Sequence, residues 1–249
     1  MSFATYPSLA GRVVFVSGGA SGIGAEIVRA FAGQRSRVAF VDVQREAGAA
    51  LGEETGALFL ECDVTDIPAL QRAITRAGEE LGPIGALVNN AANDQRHNVA
   101  DVGVDYWDHS QNVNLRHHFF AAQAVHPQMR ELGGGSIINL SSIAWRVGAG
   151  EMAVYATAKA GIVGLTRALA RAFGPDNIRV NAIEPGAVMT DRQRELWYKT
   201  QDSVDEMARR QSIKRVLLGD EIARAALFLA ADDSRMITKQ SLTVDAGLR

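Results

Sequence analysis

Short β-branched runs that are apolar from end to end, such as Val13-Val14-Phe15-Val16, constrain this chain most. A strand with one wet face alternates apolar and polar residues. A strand buried on both faces does not, and that pattern belongs to parallel sheets covered by crossover helices. Such runs recur with segments of helical periodicity between them: Arg12–Ser17 then Gly22–Gln34, Arg37–Asp42 then Gln44–Thr55, Ala57–Cys62 then Ile67–Leu81. The series continues through strand Ala86–Asn89, helix Tyr106–Leu132, strand Ser136–Leu140, helix Val154–Phe173, strand Arg179–Glu184, helix Asp220–Ala231 and strand Ser241–Val244. The pattern predicts a doubly wound α/β fold, a seven-stranded parallel sheet with helices on both faces. The 24 glycines are dispersed at turns and form no linker, so residues 1–249 read as one domain.

Composition removes several classes of function. Lys plus Arg number 26 against 28 Asp plus Glu, a net charge of −2, and no basic run is interleaved with aromatics, so no nucleic-acid partner is expected. Cys62 is the single cysteine, which excludes an internal disulfide framework and a multi-cysteine zinc site and suits the reducing cytoplasm. Met1–Pro7 has no basic segment leading into an apolar core. Apolar runs such as Ala225–Ala231 fall well short of the roughly 18 residues of a membrane span, so a soluble protein with no membrane partner is expected. The sequon Asn139-Leu140-Ser141 lies inside an apolar strand pattern and reads as chance. Adjacent His117 and His118 should point about 100° apart on a helix and have no acidic or thiol partner at ligand spacing, so no metal is expected.

In doubly wound sheets ligands bind beyond the carboxyl ends of the strands, which directs attention to the residues just after each one. The first strand runs into Ser17-Gly18-Gly19-Ala20-Ser21-Gly22-Ile23-Gly24 and then a helix. Glycines admit a pyrophosphate to the backbone, and the N–H groups at Ser21, Gly22, Ile23 and Gly24 open the helix toward it. The same residues also make a tight strand-to-helix connection. Asp42 ends the second strand 18 positions beyond Gly24, where a carboxylate bonds ribose hydroxyls and repels a 2′-phosphate. This points to NAD over NADP, although an Asp there can equally cap the next helix, and Arg45 lies close by. Asp63-Val64 and Asn89-Asn90-Ala91-Ala92 follow the third and fourth strands, where they read either as an adenosine-binding edge or as ordinary turns.

Ser142 follows the fifth strand, and Tyr155 and Lys159 stand four apart on the next predicted helix, so they share a face. A tyrosine acting as a base near neutrality needs its pKa lowered by about 3 from 10, or ~4 kcal/mol of preferential phenolate stabilisation. A neighbouring ammonium and a cationic nicotinamide have the right sign. Taken alone, the pair also reads as a half-buried tyrosine beside a solvated lysine.

With these motifs in this order, the chain resembles the short-chain dehydrogenase/reductase family over essentially its whole length. The resemblance rests on Gly18-x-x-x-Gly22-x-Gly24, Asp63, Asn89-Asn90-Ala91, Asn114, Ser142, Tyr155-x-x-x-Lys159 and Pro185-Gly186. It implies a Rossmann-type fold and a homotetramer built on the helices containing Val154–Phe173 and Asp220–Ala231. Tyr155 would be the general acid/base and Ser142 would bond the reacting oxygen. Lys159 would hold the nicotinamide ribose and depress the Tyr155 pKa, and Asn114 would hold a relay water. Pro185, Gly186, Val188 and Thr190 would shape the nicotinamide pocket. Ser17, Ala92 and Ala246 depart from the family pattern, each small for small.

Asn89–His97, Asn112–His117, Ser141–Trp145 and the ending Val244–Arg249 are similar to the sugar 1-dehydrogenases of that family. These oxidise the C1 hydroxyl of an aldose, a pentose or hexose, to an aldonolactone. Asn93, Asp94, Gln95 and His97 would offer polar groups to such a polyol and Trp145 an apolar face, although the same run also reads as a solvated loop. Residues 187–212, long and polar after Pro185-Gly186, are a candidate lid. The alternatives are a dehydrogenase for another polyol or a 3-hydroxyacyl compound, and a nucleotide-binding protein without turnover.

Overall fold

The structure, a computed structural model, describes residues 4–249. Met1, Ser2 and Phe3, at the head of the segment considered above as a targeting signal, lie outside the described residues. Strands β1 (Val13–Ser17), β2 (Arg37–Asp42), β3 (Leu58–Glu61), β4 (Ile84–Asn89), β5 (Gly135–Leu140), β6 (Ile178–Pro185) and β7 (Ser241–Val244) form one sheet in the order β3-β2-β1-β4-β5-β6-β7. Every pairing is parallel, as the unbroken apolar runs predict.

Successive residues of a strand face opposite sides of the sheet, so each run feeds two cores. Val14 and Val16 pack in the cluster holding Ile27 and Phe31 of α1 (Gly22–Gly33) and Ile222 and Leu227 of α10 (Gly219–Ala230). Val13 and Phe15 join the other cluster, with Ile74 of α3 (Ile67–Leu81), Val125 of α5 (His117–Glu131) and Leu169 of α7 (Ala153–Phe173). Each such side chain, fully buried, contributes ~1.5–3 kcal/mol. α2 (Arg45–Thr55) lies between β2 and β3, and the short α6 (Ala144–Val147) follows β5.

Three segments differ most from expectation, the other element ends shifting by only a residue or two. β4 begins at Ile84, not Ala86, because Gly85 is accommodated as the extra residue where the β1–β4 register shifts. The continuous helix expected over Tyr106–Leu132 is broken into α4 (Val104–Gln111), a π-helical turn (Asn112–Arg116) and α5, which also carries Pro127. Residues 187–212 fold as α8 (Asp191–Leu196) and α9 (Gln201–Arg210), capped by the Thr190 and Thr200 hydroxyls. Met189, Val204 and Met207 form a small apolar cluster of their own beneath α9, separate from both main cores. Asn139 of the sequon is fully buried, its side chain bonded to Thr166 and Asn89, a position no glycan can reach.

Candidate active site

The strand order reverses between β1 and β4, and the glycine turn sits at that switch point. Ser17 Oγ accepts the N–H groups of Asn90 (3.0 Å) and Ala91 (3.2 Å), while Asn90 Nδ2 donates to the carbonyls of Ser17 (3.2 Å) and Gly18 (2.8 Å). Asn90, expected as a cofactor contact, thus spends its amide on bracing the turn against β4. A Cβ on Gly18, where φ is 66°, would lie 2.6 Å from Ala91 Cα, and one on Gly24 would lie 1.8 Å from the Gly18 carbonyl oxygen. Neither position admits a side chain. Ser21 stands at the N-cap of α1 without capping it, since its hydroxyl accepts the Gln44 amide (2.8 Å), and no acid occupies the first turn. The first N–H groups of α1 therefore have no side-chain acceptor, which fits the pyrophosphate of a dinucleotide.

Asp42 is buried, and its carboxylate accepts the N–H groups of Ala20 and Gln44, each at 3.0 Å. It ties the glycine turn to the residue that precedes α2, whose N-cap is Gln44 without a side-chain cap, so Asp42 does not cap that helix. Arg45 is drawn away toward Glu61 at 3.6 Å. Asp63 accepts the Thr65 N–H (2.8 Å) beside buried Val64. Thr190, whose hydroxyl caps α8, has its methyl 3.3 Å from where a Gly22 Cβ would stand, bringing the base of α8 to the glycine turn. Gly186 approaches Asp245 too closely for a side chain, Pro185 accepts the Ile143 N–H (3.1 Å), and Val188 is buried beside Leu217.

Ser142, Tyr155 and Lys159 come together across the crevice. Ser141 Oγ donates to the Lys159 carbonyl (2.7 Å), tying the end of β5 to α7. Lys159 is 1% exposed, donates from Nζ to the Leu140 carbonyl (2.7 Å), and places Nζ 5.4 Å from the Tyr155 ring centroid. Burial holds the Lys159 ammonium down to about 7, with Asp94 pulling the other way. Burial pushes the Tyr155 phenol above its ordinary value, Asp94 adds to the rise, and a hydrogen bond from Ser142 opposes both. The expected lowering of the phenol by Lys159 together with a cationic nicotinamide is not among the causes that set this shift, which are burial, Asp94 and Ser142.

Asn114, fully buried in the π-helical turn, accepts the Asn93 N–H (2.8 Å) and donates to the Asn93 carbonyl (3.1 Å) and the Ser110 carbonyl (2.9 Å). The expected relay asparagine is a clamp on the backbone of residue 93, made possible because the π turn re-aims one side chain out of helical register. His117 and His118 do not point apart as expected: where α5 emerges from that turn their rings stand 4.3 Å apart. Among the described residues no group of three or more His, Cys, Asp and Glu is placed to hold a metal ion.

Asn93 and Asp94 meet α8. Arg192 reaches Asp94 (3.1 Å) and Asn93 Oδ1 (3.0 Å), Gln193 Nε2 bonds the other Asp94 oxygen, and Arg96 stacks on Trp197 at 4.1 Å. Trp145 lies beside Ser142, but its ring is stacked by the Arg146 guanidinium (4.3 Å), which is bonded to fully buried Glu184. The face expected to receive a sugar is thus shared with an ion pair. Sequence reasoning missed Arg192, Gln193, Arg146 and Glu184. The first two sit about a hundred residues from their partner, and the only local signal was the opposite charge of the two segments.

A doubly wound parallel sheet with an uncapped glycine turn at its switch point and a Ser–Tyr–Lys group across the crevice defines a nicotinamide-dependent oxidoreductase. The chain belongs to the short-chain dehydrogenase/reductase family: a family model described as enoyl-(acyl carrier protein) reductase matches residues 18–249. A "Probable galactose dehydrogenase" of Rhizobium meliloti is 48% identical over 249 residues, spanning 98% of this chain and 97% of that protein. A D-xylose 1-dehydrogenase of Caulobacter vibrioides is 44% identical over 254 residues, spanning both chains completely. Among solved structures, the aldohexose dehydrogenase of Thermoplasma acidophilum superposes with a TM-score of 0.90 at 28% identity, covering 98% of this chain and 96% of that one. The 3-oxoacyl-[acyl-carrier protein] reductase of Brucella melitensis gives 0.89 at 31%, covering 98% and 93%.

Proposed function

We propose that the protein is an NAD-dependent aldose 1-dehydrogenase that oxidises the C1 hydroxyl of a pentose or hexose to the aldonolactone. The observation that carries this reading is the convergence of Tyr155, Ser142 and Lys159 beside the glycine turn, in a chain whose full-length relatives include sugar dehydrogenases. The polyol is supported by the polar side chains gathered at Asn93 and Asp94, which Arg192 and Gln193 reach from α8. A fatty-acyl pocket would be lined mainly by apolar groups.

Gly18, Ser21, Gly22, Ile23 and Gly24 would hold the pyrophosphate, Asp42 the adenosine ribose, Asp63, Val64 and Ala91 the adenine side, and Lys159, Pro185, Gly186, Val188 and Thr190 the nicotinamide side. Bound there, an oxidised nicotinamide dinucleotide supplies a hydride acceptor whose positive charge favours a phenolate. Tyr155 Oη takes the proton of the C1 hydroxyl as the C1–H bond breaks and the carbonyl forms. Ser142 donates to the reacting oxygen, and Asn114 keeps the Asn93 backbone at the rim. α8 and α9 act as the lid, latched on Asp94 by Arg192 and Gln193. A cytoplasmic homotetramer assembled through α7 and α10 belongs to the same reading. Among the described residues no helix is long and apolar enough to cross a membrane.

The test is a panel of pentoses, hexoses and a 3-hydroxyacyl thioester with NAD⁺ and NADP⁺, followed by absorbance of the reduced cofactor. An aldose should lead the panel, with NAD⁺ preferred by about tenfold or more, ~1.4 kcal/mol. Asp42→Ala should erase most of that preference. A faster thioester overturns the sugar reading, and a preference for NADP⁺ overturns the role of Asp42.

The latch has its own signature. Asp94 raises the Tyr155 pKa and engages the lid, so Asp94→Asn should move the acidic limb of the kcat/KM profile to lower pH while raising KM for the sugar. A limb that stays where it was shows that this carboxylate does not act on the phenol.

A further inference from the structure

At the opposite edge of the sheet from the crevice, a groove of about 500 Å³ crosses the N-terminal ends of β1, β4, β5 and β6. Its bottom is small and open, including Gly11 and Gly133, where an added Cβ would meet nothing within 4 Å. Four guanidinium groups line it, from Arg12, Arg37, Arg179 and Arg235, against a single carboxylate, Asp232. Asp232 is paired with Arg12 at 2.8 Å. Arg37, Arg179 and Arg235 have no carboxylate within 4.0 Å among the described residues, so three guanidinium groups around one space form no ion pair.

We propose that this groove is a second binding site, for a small anion of the phosphate-ester class carrying at least two negative charges. Arg179 makes the strongest case. It is only 9% exposed, and its partners are backbone carbonyls alone, those of Ala231 (3.3 Å) and Ile237 (3.5 Å). A guanidinium taken out of water needs a counter-charge, and the partial charge of a helix C-terminus is a fraction of one. Burial, followed by the like charge of Arg12, pulls Arg179 down to about 10 against the smaller opposing pull of Asp232.

Holding helix C-termini explains part of the cluster, since Arg12 donates to the Ala230 carbonyl and Arg179 to that of Ala231. It does not explain Arg37 or Arg235. Among the described residues Arg37 bonds only the Gly11 carbonyl, through Nε (3.2 Å), which leaves both terminal nitrogens available, and the Arg235 head group has no hydrogen-bond or ion-pair partner. Planar guanidinium forks match phosphate oxygens two at a time, which selects phosphate over a simple halide. The space is at the scale of small-molecule sites and exceeds what an inorganic ion fills. The chain's net charge of −2 and the confinement of the arginines to one groove exclude a polynucleotide track.

The test is calorimetric titration of inorganic pyrophosphate into protein saturated with NAD⁺, so that the glycine turn is already filled and cannot take the probe. Binding in the range of about 1 mM or tighter, weakening with added salt, is expected. Arg37 and Arg235 are exposed, so Arg37→Glu/Arg235→Glu should keep the native circular dichroism and NAD⁺ affinity while weakening pyrophosphate by about tenfold or more. Arg179→Lys, which keeps the charge and loses the fork, should weaken it several-fold. No heat with the parent protein at about 5 mM, or undiminished binding in the double variant, overturns the site. Tighter binding of citrate than of pyrophosphate overturns the phosphate assignment in favour of a polycarboxylate.

Discussion

Tyr155→Phe is expected to lower kcat on the preferred aldose by about 10³-fold or more, at the upper end of what a positioned proton acceptor contributes. Phenylalanine fills the same volume and leaves the Lys159 Nζ in place, still donating to the Leu140 carbonyl. The fold and the dinucleotide cradle should therefore persist: NAD⁺ affinity, read by quenching of intrinsic fluorescence, should stay within about threefold. The loss should appear in kcat and not in cofactor binding. Activity within about tenfold of the parent sinks the assignment, because no other described side chain combines a titratable oxygen with a bond to Ser142. Unchanged chemistry would then have to run through water or Asp94, a carboxylate already held by Arg192 and Gln193.

The variant also separates the two halves of the electrostatic argument. In the parent protein burial raises the phenol and lowers the ammonium, so the pair works only when other charge in the crevice favours the phenolate. With the phenol removed, Lys159 keeps its depressed value, and any remaining pH dependence near 7 reports the lysine alone.

Much of this geometry was legible in the chain because it is local. The unbroken apolar runs dictate strands buried on two faces, and a four-residue spacing places Tyr155 and Lys159 on one side of α7 whatever the rest of the fold does. What escaped is what depends on helix irregularity or on distance. Apolar periodicity runs through Asn112–Arg116 without a break, so nothing local announces the π turn that turns Asn114 onto Asn93. Gly85 reads as a loop residue, and only the register with Val13 and Val14 makes it a bulge. Arg192 with Asp94, and Arg146 with Glu184, are pairings the topology creates between segments with no shared local pattern. The departures from the family pattern are likewise intelligible only in place. Ser17 supplies the hydroxyl that Asn90 and Ala91 need. Ala246 sits at φ 54°, a left-handed conformation that costs an alanine ~1 kcal/mol, while its carbonyl accepts from Ser212 and Ile213 and ties down the far end of segment 187–212.

The largest expected effect on stability is steep acid lability below pH 6.5. His117 and His118 are fully buried. Burial first, and then the Lys159 charge, pull His117 down to about 3, against a raising bond with the Ala91 carbonyl. His118 is drawn well below its ordinary value by burial, by His117 and by Lys159, against its bond with Asn139. The ordinary value is 6.5, so between that pH and about 3 the unfolded chain binds a proton at His117 that the native state refuses, His118 shifts the balance in the same direction, and stability falls as pH falls. His117 costs ~1.4 kcal/mol per pH unit over that window, against a total stability of about 5–15 kcal/mol, and His118 acts in the same direction. Lys159 adds nothing to this limb: its depressed value makes stability rise with pH from about 7 to 10.5, and below 7 it is protonated in both states. Urea midpoints at a series of pH values from neutral to mildly acid should therefore drop steeply below 6.5. His118→Gln keeps an amide donor toward Asn139 and cannot titrate, so it should be less stable than the parent at neutral pH and show a shallower acid slope. A slope equal to the parent's would show that protonation of His118 does not drive acid unfolding, leaving His117 and the surface carboxylates to account for it.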